Sequence, residues 1–182
     1  MTRLPILLAC LLFALFAASC GDDDEQESAA TPVPTEESAP ETTPGAAGEI
    51  DPSAISEELS EKPTVAKPEG APPTELVTED IVEGDGKAAK AGDLVSMQYV
   101  GNSWSTGEQF DASWDRGAEP LKFPLGTGQV IPGWDQGIVG MKEGGRRLLV
   151  IPGEQAYGPT GQPPDIGPNE TLVFAVDLIK VN

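Results

Sequence analysis

At 182 residues, with 18 prolines, 21 glycines and a formal charge of −19, the chain has material for one small domain and a good deal of polar sequence besides. The acidity and the lack of any basic stripe exclude nucleic-acid binding, which needs clustered cations to displace counterions from phosphate. The absence of histidine excludes Ser-His-Asp and Cys-His catalysis and every His-ligated metal site, so no metal or cofactor is expected.

Taken in chain order, Met1 to Arg3 is a short positive start to an apolar run from Leu4 to Phe16. At 13 residues the run falls short of the ~20 that a membrane helix needs but suits a signal peptide. Ala17, Ala18 and Ser19 lead directly to Cys20, which would be the only thiol of the processed chain, so no internal disulfide is available. The arrangement resembles a bacterial lipoprotein signal, with Ala17 where that pattern usually has leucine. The resemblance implies cleavage after residue 19, acylation of Cys20 and an extracytoplasmic chain anchored to the membrane by lipid. Simple secretion, with cleavage near Ser19, is the alternative. Residues 20–61 are acidic and rich in Thr, Pro, Ala and Glu, without apolar periodicity. They read as a disordered linker with a span of roughly 35 Å by the random-coil rule. Ser53 to Ser60 has helical character only at a length that is marginal for an isolated helix.

The folded domain is expected over residues 62–182. Lys62 to Pro73 is Pro-rich, extended and placed at the domain edge. Leu76 to Val82 alternates and ends at the turn Glu83-Gly84-Asp85-Gly86. Asp93 to Trp104 is a strand, turned at Thr106-Gly107 toward a hairpin partner from Gln109 to Trp114. Leu121 to Leu125 is a short strand. Trp134, Ile138 and Met141 then fall at helical spacing, with Pro132 suited to the first turn and glycines limiting the length. Arg147 to Pro152 and Thr171 to Val181 are the last two strands, the second placing Leu172, Phe174, Val176 and Leu178 on one face. Several strands with one short helix make an α+β domain, an antiparallel sheet packed on that helix.

The blocks Tyr99-Val-Gly, Thr106-Gly107-Glu-Gln-Phe110-Asp111-Ala-Ser, Phe123-Pro-Leu-Gly126, Val130-Ile131-Pro132-Gly133-Trp134, Gly137 to Gly144, Ala156-Tyr157-Gly158 and Thr171-Leu-Val-Phe174 occur in order. Together they are similar to the FKBP-type domain of the macrolide-binding immunophilins, over the stretch from Leu76 to Asn182. The resemblance implies an FKBP-like five-stranded antiparallel sheet wrapped around the helix, and peptidyl-prolyl cis/trans isomerase activity in a pocket between them. Carried over, Tyr99, Phe110, Asp111 and Tyr157 would be the catalytic group. Leu121, Val130, Ile131, Trp134, Ile166 and Phe174 would bind substrate. Trp134 would be the floor, Tyr99, Phe110 and Phe174 the walls for a proline ring, and Tyr157 Oη and the Ile131 N–H donors to peptide carbonyls. Asp111 would accept hydrogen bonds at the rim, tied to Tyr99 or Arg116. Taken singly, each aromatic reads equally as plain core, and for Phe123 and Met141 that is the expectation.

Three positions depart from the family pattern: Leu121 replaces a bulky aromatic, Gln162 a residue often histidine or another loop polar residue, and Asp165 an apolar side chain. The implied partners are proline-containing polypeptides and macrolide inhibitors, with the chain acting as a monomer. A proline-binding module with little turnover is the alternative.

Overall fold

Six strands, one α-helix and four 3-10 turns make up the computed structural model, which describes residue 48 and residues 50–182. The expected signal segment, Cys20 and most of the expected acidic linker lie outside the described residues. The strands are β1 (Val77–Val82), β2 (Leu94–Ser103), β3 (Gln109–Ala112), β4 (Leu121–Pro124), β5 (Gly145–Ile151) and β6 (Leu172–Val181). They form one antiparallel sheet in the order β1-β5-β6-β2-β3, with β4 pairing separately with the start of β2. The expected five-stranded sheet therefore has a sixth strand, because β2 is ten residues long and serves different partners along its length. Residues 94–97 pair with β4, while residues 100–102 pair with β3.

Helix α1 (Pro132–Gly137) is shorter than the apolar spacing predicts. Pro132 supplies a backbone already set for the first turn, and Ile138 caps the end. Gly140, at φ 84°, then turns the chain, and Ile138 and Met141 still reach the core from that turn. The helix lies very close to β5. A Cβ at Gly133 would stand 2.3 Å from Ile151 Cγ2, so only glycine permits this approach.

The inner core joins Val95, Met97 and Tyr99 of β2 to Leu149 and Ile151 of β5 and to Leu172, Phe174, Val176 and Leu178 of β6. Trp134, Ile138 and Met141 cover these side chains, with Phe123 and Leu125 beside them. The one-face alternation read for β6 is correct for this side, and Phe123 and Met141 are core as expected, 3% and 1% exposed.

The other face of the sheet is buried too, which corrects the reading of residues 50–61 as unstructured tether. Ile55 (2% exposed) and Val65 enter a second cluster with Trp104, Leu148, Val150, Val173 and Ala175, and Ile50 packs alongside. Arg146 fastens the segment. Its guanidinium holds Asp177 through Nε at 2.5 Å and Nη2 at 2.8 Å, and donates to the carbonyls of Ser56, Glu58 and Glu61. Both ionic side chains are removed from water, at 0% and 1% exposure. The segment carries too few apolar residues to fold alone, but the outer faces of β5 and β6 provide the surface it lacks. From Lys62 to Pro73, Val65 also enters this second cluster, while Lys67 lies against the turn at Gly107.

Candidate active site

The site is built where β2, β6 and β3 run side by side. Register places Gly101 of β2 between Phe174 of β6 and Asp111 of β3. A Cβ at Gly101 would fall 2.6 Å from Phe174 Cε1 and 2.7 Å from Phe110 Cζ. The missing side chain is therefore what lets the two rings meet over this strand. They do so edge to face, with centroids 5.6 Å apart at 88°.

Trp134 projects from α1 toward the same place. Its ring stands edge-on to Tyr99 (5.1 Å, 80°) and to Phe174 (5.3 Å, 81°), with Phe123 behind it at 5.8 Å. Each such contact is worth about 0.5–1.5 kcal/mol beyond area burial, so the rings hold one another in a fixed cluster. Beside this cluster a hollow of about 360 Å3 remains open, lined by Trp134 among others and mainly by apolar surface.

One wall is set by the turn after β4. Asp135 of α1 accepts from the N–H groups of Gly126 and Gly128, each at 2.7 Å. This ties the turn to the helix and fixes the approach of Val130 and Ile131 to the rim. No described residue accepts from the Ile131 N–H, and its carbonyl is used by the helix, which takes the Trp134 N–H at 2.9 Å.

The opposite rim is polar. The Tyr99 hydroxyl donates to Asp111 Oδ2 at 2.6 Å and accepts from Arg116 Nη2 at 2.7 Å, while Arg116 Nη1 donates to Asp111 Oδ1. The guanidinium also sits 5.7 Å from the centre of the Tyr99 ring. Arg116 reaches this position from the 3-10 turn Ser113–Arg116, closed by Gly117 at φ 79°. That turn is latched to β2 by the buried Ser113 hydroxyl, which accepts from the Tyr99 N–H at 2.8 Å and donates to Gln98 Oε1 at 2.5 Å. Burial first, and the bond to Asp111 second, raise the Tyr99 pKa above the usual tyrosine value. Tyr157, on the loop after β5, is also raised, by burial first and then by the Asp111 charge. Both hydroxyls remain donors through the neutral range.

The structure thus brings Tyr99, Phe110, Asp111, Leu121, Val130, Ile131, Trp134, Tyr157 and Phe174 to one hollow. Leu121 stands at its edge, 38% exposed. Ile166 is the exception: it is buried (3%) and lines a neighbouring hollow, with Gln162 and Asp165. Asp111 is tied to Tyr99 and to Arg116 together, where either one was expected. Gln129 lines the hollow as well and was not singled out from sequence. Its only signal there was its position directly before the Val130-Ile131 block.

The comparisons with known proteins agree with this geometry. The model of the family described as FKBP-type peptidyl-prolyl cis-trans isomerase matches residues 85–179. An FK506-binding protein of Streptomyces anulatus is 58% identical over 122 residues, 66% of this chain and 98% of that protein. Among solved structures, the crystal structure of AtFKBP13 superposes with a TM-score of 0.55 at 40% identity, covering 60% of this chain and 95% of that one. FkpA from Escherichia coli gives a TM-score of 0.54 at 47% identity, covering 60% of this chain and 49% of its own. With the matched span taking in the whole ring cluster and the hollow beside it, this chain belongs to the FKBP-type peptidyl-prolyl cis-trans isomerase family.

Proposed function

We propose that the aromatic hollow accelerates rotation about X–Pro bonds in exported polypeptides, with the domain held at the membrane surface through an acylated Cys20. Amide resonance sets a barrier of about 18–20 kcal/mol, and X–Pro bonds interconvert in roughly tens to hundreds of seconds. In the twisted state the resonance is lost. The carbonyl oxygen is then less charged and the proline nitrogen more amine-like, so a water-poor hollow disfavours the flat amide more than the rotated one. Tyr157 Oη and the Ile131 N–H supply hydrogen bonds aimed at the rotated carbonyls, which is transition-state complementarity. Each ~1.4 kcal/mol of difference gives a factor of ten in rate. This chemistry uses no nucleophile, metal or cofactor.

The observation that carries the reading is the open hollow lined by the Trp134 indole together with Tyr99, Phe110 and Phe174. The hollow also supports binding of a macrolide of the FK506 type, named for the Streptomyces relative. Export and anchoring rest on the apolar run from Leu4 to Phe16 followed by Ala17-Ala18-Ser19-Cys20. Secretion with cleavage near Ser19 is the competing reading. A mass measurement on the processed N-terminus decides between them, since acylation adds the mass of the lipid to Cys20.

The test of activity is the isomerisation rate of a Leu-Pro peptide, with and without the mature protein, repeated with FK506. Acceleration that the macrolide abolishes is expected, and no acceleration by the intact protein rejects the reading. The edge position of Leu121, where the family has an aromatic, favours a second reading of a proline-segment binding module with weak turnover. Peptide binding without rate enhancement identifies that case.

A further inference from the structure

Next to the hollow lined by Trp134 is a second one of about 240 Å3. Phe110, Asp111 and Tyr157 line both, and Gln162, Asp165 and Ile166 make the far side of the second. The far side is braced. Gln162 and Ile166 exchange backbone hydrogen bonds at 2.9 and 3.0 Å, and the Asn169 N–H closes the loop onto the Gly158 carbonyl at 2.8 Å. Ile166, 3% exposed, anchors the turn in the inner core. Asp165 is therefore presented by a fixed turn.

The charges around the two hollows do not balance. Asp111 is matched by Arg116, whereas Asp165 enters none of the ion pairs among the described residues. No lysine or arginine lines either hollow. Two carboxylates against one guanidinium leave one negative charge uncompensated, in a mainly polar hollow whose other lining residues are Phe110, Tyr157, Gln162, Pro163 and Ile166. Such a surface suits an amphipathic cation, whose methylene stem lies along the Phe110 and Tyr157 rings while its charged head reaches the carboxylate.

Resting on the isomerase reading above, we propose that the second hollow is a specificity subsite for the side chain adjoining the substrate proline, and that it selects lysine or arginine over glutamate. The substrate class is then polypeptide segments with a basic residue next to proline. The overall charge of −19 acts in the same direction by drawing cationic segments to the protein. Exposed pairs are worth about 0.2–1 kcal/mol. Attraction for a cation and repulsion of an anion together therefore predict a Lys-to-Glu ratio in kcat/KM of about fivefold at low salt.

The experiment uses the mature protein and two series of proline tetrapeptides. One series carries Lys, Leu or Glu immediately before the proline, the other immediately after it. The expected result is Lys over Leu over Glu in one series, a ratio that shrinks as salt is raised and approaches one in Asp165→Asn. Asp165→Lys inverts it, with circular dichroism confirming that both variants are folded. Equal rates for Lys and Glu in both series overturn the proposal, as does a ratio unchanged in Asp165→Asn. If no peptide is turned over, including Leu-Pro, it is the isomerase reading that fails. The same Lys and Glu peptides are then compared by calorimetric Kd, where equal affinities overturn the subsite on their own.

Discussion

Replacing Gly101 by alanine adds one carbon at the centre of the ring cluster. The added Cβ falls 2.6 Å from Phe174 Cε1 and 2.7 Å from Phe110 Cζ, whereas carbon atoms rest at about 3.5–4.0 Å. Each ring must recede by about 1 Å, and both rings are walls of the hollow lined by Trp134. Overpacking of this kind costs about 1–3 kcal/mol. It is partly offset by the roughly 0.5–1 kcal/mol that alanine gains over glycine in a strand. Stability should therefore fall by no more than about 2.5 kcal/mol, while a 1 Å misplacement of positioning groups costs about 10²-fold in rate. The assay pairs urea unfolding with kcat/KM on a Leu-Pro peptide. The signature is a large loss of activity in a protein that remains folded. A Gly101→Ala protein with kcat/KM within about twofold of the parent would refute the claim that this glycine sets the walls of the site.

Three further outcomes are expected. Arg146→Ala leaves the Asp177 carboxylate buried without its partner and three carbonyls without their donor. Urea unfolding should show a loss of about 3–5 kcal/mol, and replacing both partners by apolar residues should cost less than the single change. Ile55→Ala should cost about 2–5 kcal/mol by loss of a buried side chain, measured the same way. An unchanged unfolding midpoint would return residues 50–61 to the status of a tether. The pH dependence follows from the two tyrosines, whose pKa values lie above the ordinary 10.0 chiefly because of burial. The protonated hydroxyl is the donor, so its contribution is fully present below about pH 10 and is lost as pH rises through the raised values. With no histidine to titrate, kcat/KM should be flat from about pH 6 to 9, and a step near pH 6.5 would contradict this account.

Much of this molecule is legible in the sequence because the relevant forces are local. Alternation in β1, glycine at the turns, and Pro132 ahead of Trp134 each report a backbone preference that neighbours a few residues away enforce. The blocks around Tyr99, Phe110, Val130, Tyr157 and Phe174 marked eight of the ten residues that line the hollow; Leu121 was visible as a departure from the family pattern, and Gln129 is the tenth. The acidic loop at Gln162 to Asp165 was visible as a departure from family pattern. That it walls a second hollow depends on the backbone bonds that fold it over Ile166.

The outer face of the sheet was decided by tertiary structure. Residues 50–61 are polar by composition, and no window of that segment contains the apolar surface needed to order it. Its order comes from partners far along the chain: Ile55 joins the cluster that holds Val150 and Val173, and backbone carbonyls accept from Arg146. A trace existed in β6, where Leu172-Val173-Phe174-Ala175-Val176 is apolar without alternation, the pattern of a strand covered on both sides. Which segment supplies the cover is a matter of long-range complementarity. Local periodicity records how a residue prefers to sit, and only the folded sheet determines what is available to sit against it.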